Sequence, residues 1–388
     1  MTATRISLIG ANGYGIHHRR AIAELQAAGA AELVGLCDVQ PIEDDPVAPV
    51  PQTAQRFTDY RELLAVTRPD VVAIATPPHT HLEIASAAVR AGADVLLEKP
   101  PLVSWTEHEQ LTALLGESGR VCQVGFQALG SAALAALADA IRAGRLGAIE
   151  GIGACGLWQR PDSYYARTPW AGRRELDGRP VLDGALANPF AHAVMQCFAI
   201  AEAVGPVSIS GLALERYRAR PIEVDDTAAL SVRLRSGPPI VVAVTLCSDV
   251  EQDPWIVVHG ERGRAVLEYT ADRLRLPGDA EYAEVPGRTG LLANLLAHRA
   301  APGEVALLAP LERTAPFTQV IDAIGADGPP TTIGPRWQLV HGPDRVVTVP
   351  GISAVLRAGA EGLKLPSELA IGWATANSAA RGVQQTLR

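Results

Sequence analysis

Lysine is nearly missing from this chain. Of its 34 basic residues two are lysines, Lys99 and Lys364, and the others are arginines, so each lysine needs a reason of its own. Dense basic runs are missing as well. With 42 acidic residues the formal net charge is −8, a surface that offers a polyanion little and argues against a nucleic-acid partner. No stretch approaches the ~20 uninterrupted apolar residues of a membrane-spanning helix, which argues against a membrane partner. The five cysteines (Cys37, Cys122, Cys155, Cys197 and Cys247) lie far apart with no CxxC pair. That is the pattern of buried reduced thiols, not of a disulfide framework or a metal site. The first residues run at once into a short apolar segment ending in glycine, too short for a secretory core, so the expected location is cytoplasmic. Internal repeats and low-complexity tracts are absent.

What is present is an ordinary globular balance, 48% hydrophobic and 20% charged over 388 residues, enough for two domains at ~100–200 residues each. Residues 6–10 form a β-rich run that stops at Gly10. The turn Gly10-Ala11-Asn12-Gly13-Tyr14-Gly15 follows, then a helical pattern through Ile16, Ala21, Ile22 and Leu25, then a second strand over 32–38. Strand, glycine-rich turn, helix, strand is the βαβ unit. The alternation continues with strands at 71–75, 94–98 and 121–125 and helices near 79–91 and 105–116, so residues 1–126 read as a doubly wound Rossmann domain.

The frame Gly10-x-Asn12-x-x-Gly15 places asparagine at the middle glycine of a dinucleotide fingerprint. Asparagine tolerates left-handed backbone better than other side chains, and Gly13 relieves crowding, so the turn can still present N–H groups to a pyrophosphate. Asp38, ending the second strand, can accept hydrogen bonds from ribose hydroxyls. Residues 39–45 offer no arginine to a 2′-phosphate and add negative charge, which favours NAD over NADP. Thr76-Pro77-Pro78-His79-Thr80-His81 follows the strand at 71–75, at the carboxyl edge where such sheets bind ligands. Thr76, Pro77, His79 and His81 read as cofactor contacts and helix-capping groups, with no metal expected. Glu98-Lys99-Pro100 stands at the same edge. An ammonium there can polarise a carbonyl or, once neutral, take a hydroxyl proton, with burial lowering its pKa and Glu98 opposing that.

Aromatics make up only 5% of the chain, yet four lie within residues 158–173, interleaved with arginines. Flat rings for C–H faces and fork donors for hydroxyls suit a carbohydrate; Arg160, Tyr165, Arg167 and Trp170 are the expected contacts. Beyond lies 181–192, with Asp183, Asn188 and His192. Asn188 and His192 share a helix face at a spacing of four, while Asn188-Pro189 equally suits an Ncap–N1 pair.

Taken together, the glycine turn, Asp38, 75–81 and Glu98-Lys99-Pro100 resemble the glucose–fructose oxidoreductase, inositol dehydrogenase and rhizopine-catabolism (Gfo/Idh/MocA) family. Weaker echoes are Phe57-Thr58-Asp59-Tyr60 and Val124-Gly125-Phe126. The resemblance implies an α/β fold: an N-terminal Rossmann domain (1–126) and a C-terminal α/β domain (127–388) with an open, mostly antiparallel sheet. It implies hydride transfer between NAD and a hydroxyl or keto carbon of a sugar, sugar derivative or cyclitol, and a homodimer or homotetramer. It also implies that Lys99 and His192 serve as acid/base groups on one nicotinamide. Asn188 stands where the family has an aspartate; an amide can orient a hydroxyl but cannot take its proton. Asp183 falls where a glycine is usual. Two other readings are redox-assisted elimination on the same scaffold, as in some NAD-dependent glycosidases, and a non-catalytic NAD-binding sensor.

In the second domain, strands are expected at 208–218, 226–235, 240–247, 255–259 and 263–269. A sheet covered by helices on one face would leave the other free to pair with a second subunit. Further on are a helix near 318–324, a Gly/Pro-rich stretch at 325–335 and apolar segments at 346–356. Trp337 and Trp373 are assigned to the core.

Overall fold

The computed structural model describes residues 3–375. The chain divides into two units. The first carries six parallel strands, β1 (Thr4–Ile9), β2 (Ala31–Cys37), β3 (Gln55–Phe57), β4 (Val71–Ile74), β5 (Asp94–Leu97) and β6 (Cys122–Val124), in the order β3-β2-β1-β4-β5-β6. Every residue of β4 and β5 is buried, as strands covered on both faces require. Helices α1 (Gly15–Ala27), α2 (Tyr60–Thr67), α3 (His81–Arg90) and α4 (Trp105–Ser118) make the crossovers. Local chemistry sets their ends: Asp59 caps α2 by accepting from Arg61 N, and Ser104 caps α4 by accepting from Glu107 N. Gly119, at φ +64°, ends α4 in the left-handed conformation. The strand order reverses between β1 and β4, so the glycine turn after β1 and the loop after β4 flank the switch point of the sheet.

The second unit contains α5 (Ala132–Arg142), β7 (Ile149–Gln159), the short α6 (Asp162–Ala166), the small pair β8 (Glu175–Leu176) and β9 (Arg179–Pro180), and α7 (Ala191–Glu202). Then come β10 (Ile209–Arg218), β11 (Thr227–Leu234), β12 (Ile240–Thr245), β13 (Cys247–Gly260), β14 (Gly263–Glu268), β15 (Arg273–Arg275) and β16 (Ala283–Glu284). With β7 and β17 (Thr331–Thr332) these seven form a nine-stranded mixed sheet, antiparallel except where β12 meets β7 and β10 meets β17. The strand expected at 255–259 is the second half of β13. Its register with β7 slips around Pro254, which has no N–H to give the ladder.

Two expectations are corrected here. The boundary at 126 does not leave all later residues in one body: 127–130 and 289–318 belong to the first unit. There α8 (Leu291–Ala300) is held by buried Gln123, whose Nε2 donates to Leu291 O and Asn294 Oδ1, both at 2.8 Å, while its Oε1 accepts from Ala309 N at 2.9 Å. The sheet of the second unit, expected to have one free face, is covered on both. After α9 (Ala315–Ala326) and the hairpin β18 (Leu339–His341) and β19 (Val346–Thr348), helix α10 (Ile352–Gly362) packs on the face opposite α7. Ile352, Leu356, Ala360 and Trp373 close a core with Leu157, Ala243 and Val257. A Cβ on Gly153 would lie 2.0 Å from Ala360 O, so α10 sits directly on the backbone of β7. Trp373 meets Tyr217 edge-on at 5.0 Å, and Trp337 packs at the margin of the same core.

The covered face yields a stability prediction. Leu356 is fully buried, and Leu356→Ala is expected to lower unfolding free energy by about 2–5 kcal/mol in chemical denaturation. A loss below about 1 kcal/mol would show that α10 is not part of the core.

All five cysteines are buried and unpaired. Among the described residues no helix is long and apolar enough to cross a membrane.

Candidate active site

The glycine turn begins where β1 leaves the sheet. Gly10 has φ +84° and Gly13 φ +54°, and the conformation asked of Asn12 falls on Gly13 instead. Asn12 serves through its side chain: Nδ2 donates to Pro41 O at 3.0 Å and Oδ1 accepts from Glu43 N at 2.9 Å, tying the turn to the loop after β2. A Cβ at Gly10 would stand 2.6 Å from Ala75 O, and one at Gly15 would stand 1.8 Å from Gly10 O, so both positions demand glycine. Helix α1 then opens behind Tyr14 with no side-chain cap and no acid in its first turn. A close-packed glycine turn leading into an uncapped helix N-terminus fits a pyrophosphate.

Asp38 accepts from Asn12 N and from Gln40 N, each at 3.0 Å, one on each oxygen, which fixes the carboxylate beside the turn and leaves lone pairs for ribose hydroxyls. Two arginines from α1 reach the loop after β2, but both are engaged. Arg19, itself buried, donates to Glu43 O and Ala48 O, and Arg20 pairs with Asp45 at 2.6 Å. The fit is to NAD.

At the end of β5, Glu98 is buried. It accepts from His18 Nε2 at 2.9 Å, from Gln127 Nε2 at 3.3 Å and from Lys99 N at 3.1 Å. Burial pushes this carboxyl up, yet the His18 hydrogen bond and the charges of His18 and Lys99 together hold it below the usual carboxylate range. A Cβ on Gly125 would collide with the carboxylate at 2.5 Å, so the Val124-Gly125-Phe126 strand end is shaped around Glu98. Lys99 follows, half-buried, with a cis peptide to Pro100.

His81 corrects an expectation. It is fully buried, with Nδ1 2.9 Å from Pro100 O and 3.1 Å from Pro101 O, and Nε2 2.8 Å from Thr76 O. It therefore clamps the loop after β4 to the segment following Lys99 and does not reach a cofactor with its own ring. Thr80 does not cap α3; its hydroxyl bonds Thr76 Oγ1 and Pro77 O, both at 2.7 Å, leaving Thr76 and Pro77 stiffly placed beside Gly10. His79 is half-buried on the single turn between Pro77 and α3. Among the described residues no group of three His, Cys, Asp or Glu side chains is placed to share a metal ion.

The buried Glu98–His18 pair carries a prediction. His18→Ala strands a buried carboxylate and is expected to cost about 3–5 kcal/mol of stability at neutral pH, read by denaturant unfolding. Because the folded carboxyl is depressed, its stabilising contribution is present above the unfolded carboxylate range and is lost as pH falls through the folded value. The wild-type and variant curves should therefore converge in acid, and a gap that stays constant with pH would contradict the pairing.

In the second unit Arg167 and Gly172 of the stretch 158–173 and Asn188 of the stretch 181–192 meet at one carboxylate, that of Asp183. Leu182, buried at φ +50°, turns the chain so that the Asp183 side chain, 1% exposed, points into this group. Its Oδ1 accepts from Asn188 Nδ2 at 2.6 Å; its Oδ2 accepts from Gly172 N at 2.8 Å and faces Arg167 Nη2 at 3.5 Å. Arg167 lies over the Tyr164 ring at 3.7 Å and 5.3 Å from the Trp170 ring, and donates to Tyr164 O at 2.6 Å. Arg160 lies 4.7 Å from the Trp158 ring and 5.3 Å from Tyr164; Trp158 in turn packs 4.6 Å from Phe190. Helix α7 starts at Ala191 with Phe190 as its cap residue, so Asn188 precedes the helix and does not cap it, and His192 stands in the first turn, half-buried.

Tyr165 departs from its expected role. Its hydroxyl is buried without a hydrogen-bond partner, its ring lies 5.3 Å from the Arg220 guanidinium, and burial beside Asp226 pushes the phenol up. It faces the interior and supports the loop. Asp225 does similar work from below: it accepts from Ala185 N at 2.9 Å, and a Cβ on Gly184 would meet its carboxylate at 2.5 Å.

A family model described as an oxidoreductase family with an NAD-binding Rossmann fold matches residues 4–126, and one for the GFO/IDH/MocA C-terminal domain matches residues 134–266. The chain belongs to the Gfo/Idh/MocA oxidoreductase family. The N-terminal unit is thus an NAD-binding Rossmann domain of an oxidoreductase family. An uncharacterized oxidoreductase of Synechocystis is 27% identical over 219 residues, 55% of this chain and 58% of that protein. Levoglucosan dehydrogenase of Pseudarthrobacter phenanthrenivorans is 25% identical over 264 residues, 61% of this chain and 66% of that protein. The chain thus spans less than two thirds of either curated relative. The solved structure of the WlbA dehydrogenase from Bordetella pertussis, in complex with NADH and UDP-GlcNAcA, is 25% identical with a TM-score of 0.68, over 83% of this chain and 95% of that one.

Within this Gfo/Idh/MocA member, sequence reasoning missed His18 and Gln127 as partners of Glu98 and had no account of Asp183. Glu98 beside an isolated lysine was the only hint that a buried partner was required.

Proposed function

We propose that the protein transfers hydride between NAD and a hydroxyl or keto carbon of a sugar, sugar derivative or cyclitol. The observation that carries the reading is Lys99, one of two lysines in the chain. It stands half-buried at the carboxyl edge of the sheet that presents the glycine turn and Asp38, with Glu98 fixed behind it. Bound NAD supplies the hydride acceptor, or the donor in the reverse direction. Gly10, Asn12, Gly13, Tyr14 and Gly15 hold the pyrophosphate side, Asp38 the ribose, and Thr76, Pro77, His79 and Glu98–Lys99 the remaining edge. Lys99 Nζ and the His192 imidazole are the two groups that hold and move the hydroxyl proton. Asn188, fixed by Asp183, orients a hydroxyl; Arg160, Arg167 and Trp170 bind the rest of the substrate. The names of two relatives, one a levoglucosan dehydrogenase and one solved with a nucleotide sugar, support a carbohydrate.

The test is a panel of sugars and cyclitols incubated with the purified protein and NAD, followed by NADH absorbance and by product analysis. NADH formed in step with a ketone product is expected. Glycoside cleavage without net NADH would replace this reading with elimination, and NAD binding without turnover on any member would replace it with a sensor.

A further inference from the structure

We propose that the substrate carries an anionic group, a carboxylate or a phosphate, and that Arg160 binds it; this rests on the oxidoreductase reading above. In a chain of net charge −8, residues 158–174 hold four arginines against one aspartate. That aspartate, Asp162, is already shared by Arg220 and Arg345. Arg167 faces Asp183, and the Arg174 guanidinium donates to the carbonyls of Ile324 and Gly325. Arg173 is exposed to solvent, but Arg160 is different. It is half-buried, and its surroundings are neutral: Gln159 O at 2.8 Å and the rings of Trp158 and Tyr164. No carboxylate of the described residues lies within ion-pair distance of it.

Aromatic faces stabilise a guanidinium but do not neutralise it, and partial burial strengthens its attraction to any anion that arrives. The planar fork suits two oxygens of one carboxylate or phosphate, and rings on which it stacks hold it in place beforehand. Trp158, beneath Arg160, packs on Phe190, which stands two positions from Asn188 on one side and from His192 on the other. A cation anchored there can hold one end of a sugar while its hydroxyl lies at the amide and imidazole.

The experiment uses the full chain with NAD and matched substrates: glucose, glucuronate and glucose 6-phosphate, with the corresponding galactose series. Wild type is expected to favour one charged member over its neutral partner by about tenfold or more in kcat/KM, the uronate and phosphate arms showing which anion is recognised. Arg160→Gln is expected to reduce that preference about tenfold, mainly through KM, and Arg160→Lys to recover part of it by restoring charge without the fork. The preference should also shrink as salt rises. Equal or better turnover of the neutral sugars, with Arg160→Gln leaving the ratio unchanged, overturns the inference while the oxidoreductase reading stands. NAD reduction by no member of these series and by no member of the wider panel of sugars and cyclitols removes both.

Discussion

Lys99→Met is expected to lower kcat by about 10²–10⁴-fold while NAD affinity stays within about an order of magnitude, because proton transfer by a positioned group accounts for a factor of that size. The backbone at this position is secured without the ammonium. Glu98 accepts from Lys99 N, and His81 bonds the carbonyls of Pro100 and Pro101 just beyond. Methionine keeps the length of the stem and its packing, so the variant should fold and bind cofactor as wild type does. Steady-state turnover together with NAD titration checks both halves. Turnover within about threefold of wild type would remove Lys99 from the proton path and leave that work to His192 alone.

Asn188→Asp is the second large effect. The Asn188 amide donates to a carboxylate oxygen only 2.6 Å away, on an Asp183 side chain almost wholly buried. An aspartate at 188 would set two carboxylates at that distance, where both cannot stay ionised; one must keep a proton, with a raised pKa. Activity is expected to fall about 10²-fold at neutral pH and to recover partly in mild acid, where the shared proton remakes the contact. The exchange Asp183→Asn with Asn188→Asp inverts donor and acceptor. The new amide oxygen at 183 can accept from Gly172 N while its nitrogen donates to 188. A favourable coupling of about 1–3 kcal/mol between the two changes is expected in a double-mutant cycle on kcat/KM. Simple additivity, or a single variant as active as wild type at every pH, would mean that the pair does not set the substrate-facing amide.

How much of this was legible in the residues follows from the range of the interactions. The Rossmann unit was readable because its strands are buried on both faces and appear as unbroken apolar runs such as 71–74, with turns and helices alternating at regular intervals. Lys99 was readable because of its rarity. Asp183 was not, since its role depends on a left-handed Leu182 and on Gly172 and Arg167 returning to meet it. The Asn12 case inverts the usual inference: a residue chosen for backbone tolerance turned out to act through its amide. His81 and Tyr165 have the side chains expected of ligand contacts, but the His81 ring is fully buried and the Tyr165 hydroxyl is turned inward, so both support the loops around them. The apolar segment at 346–356 was visible, yet nothing local says which sheet face it covers; the Gly153 contact with Ala360 O is visible only in three dimensions.

The central claim is hydride transfer, and isotopic labelling tests it most directly. The sugar or cyclitol that the panel selects is deuterated at its carbinol carbon and oxidised by the wild-type protein with NAD. The account predicts that the deuterium is recovered in NADH, one per ketone formed. Deuterium appearing in solvent, or a product formed with unlabelled cofactor, would contradict it.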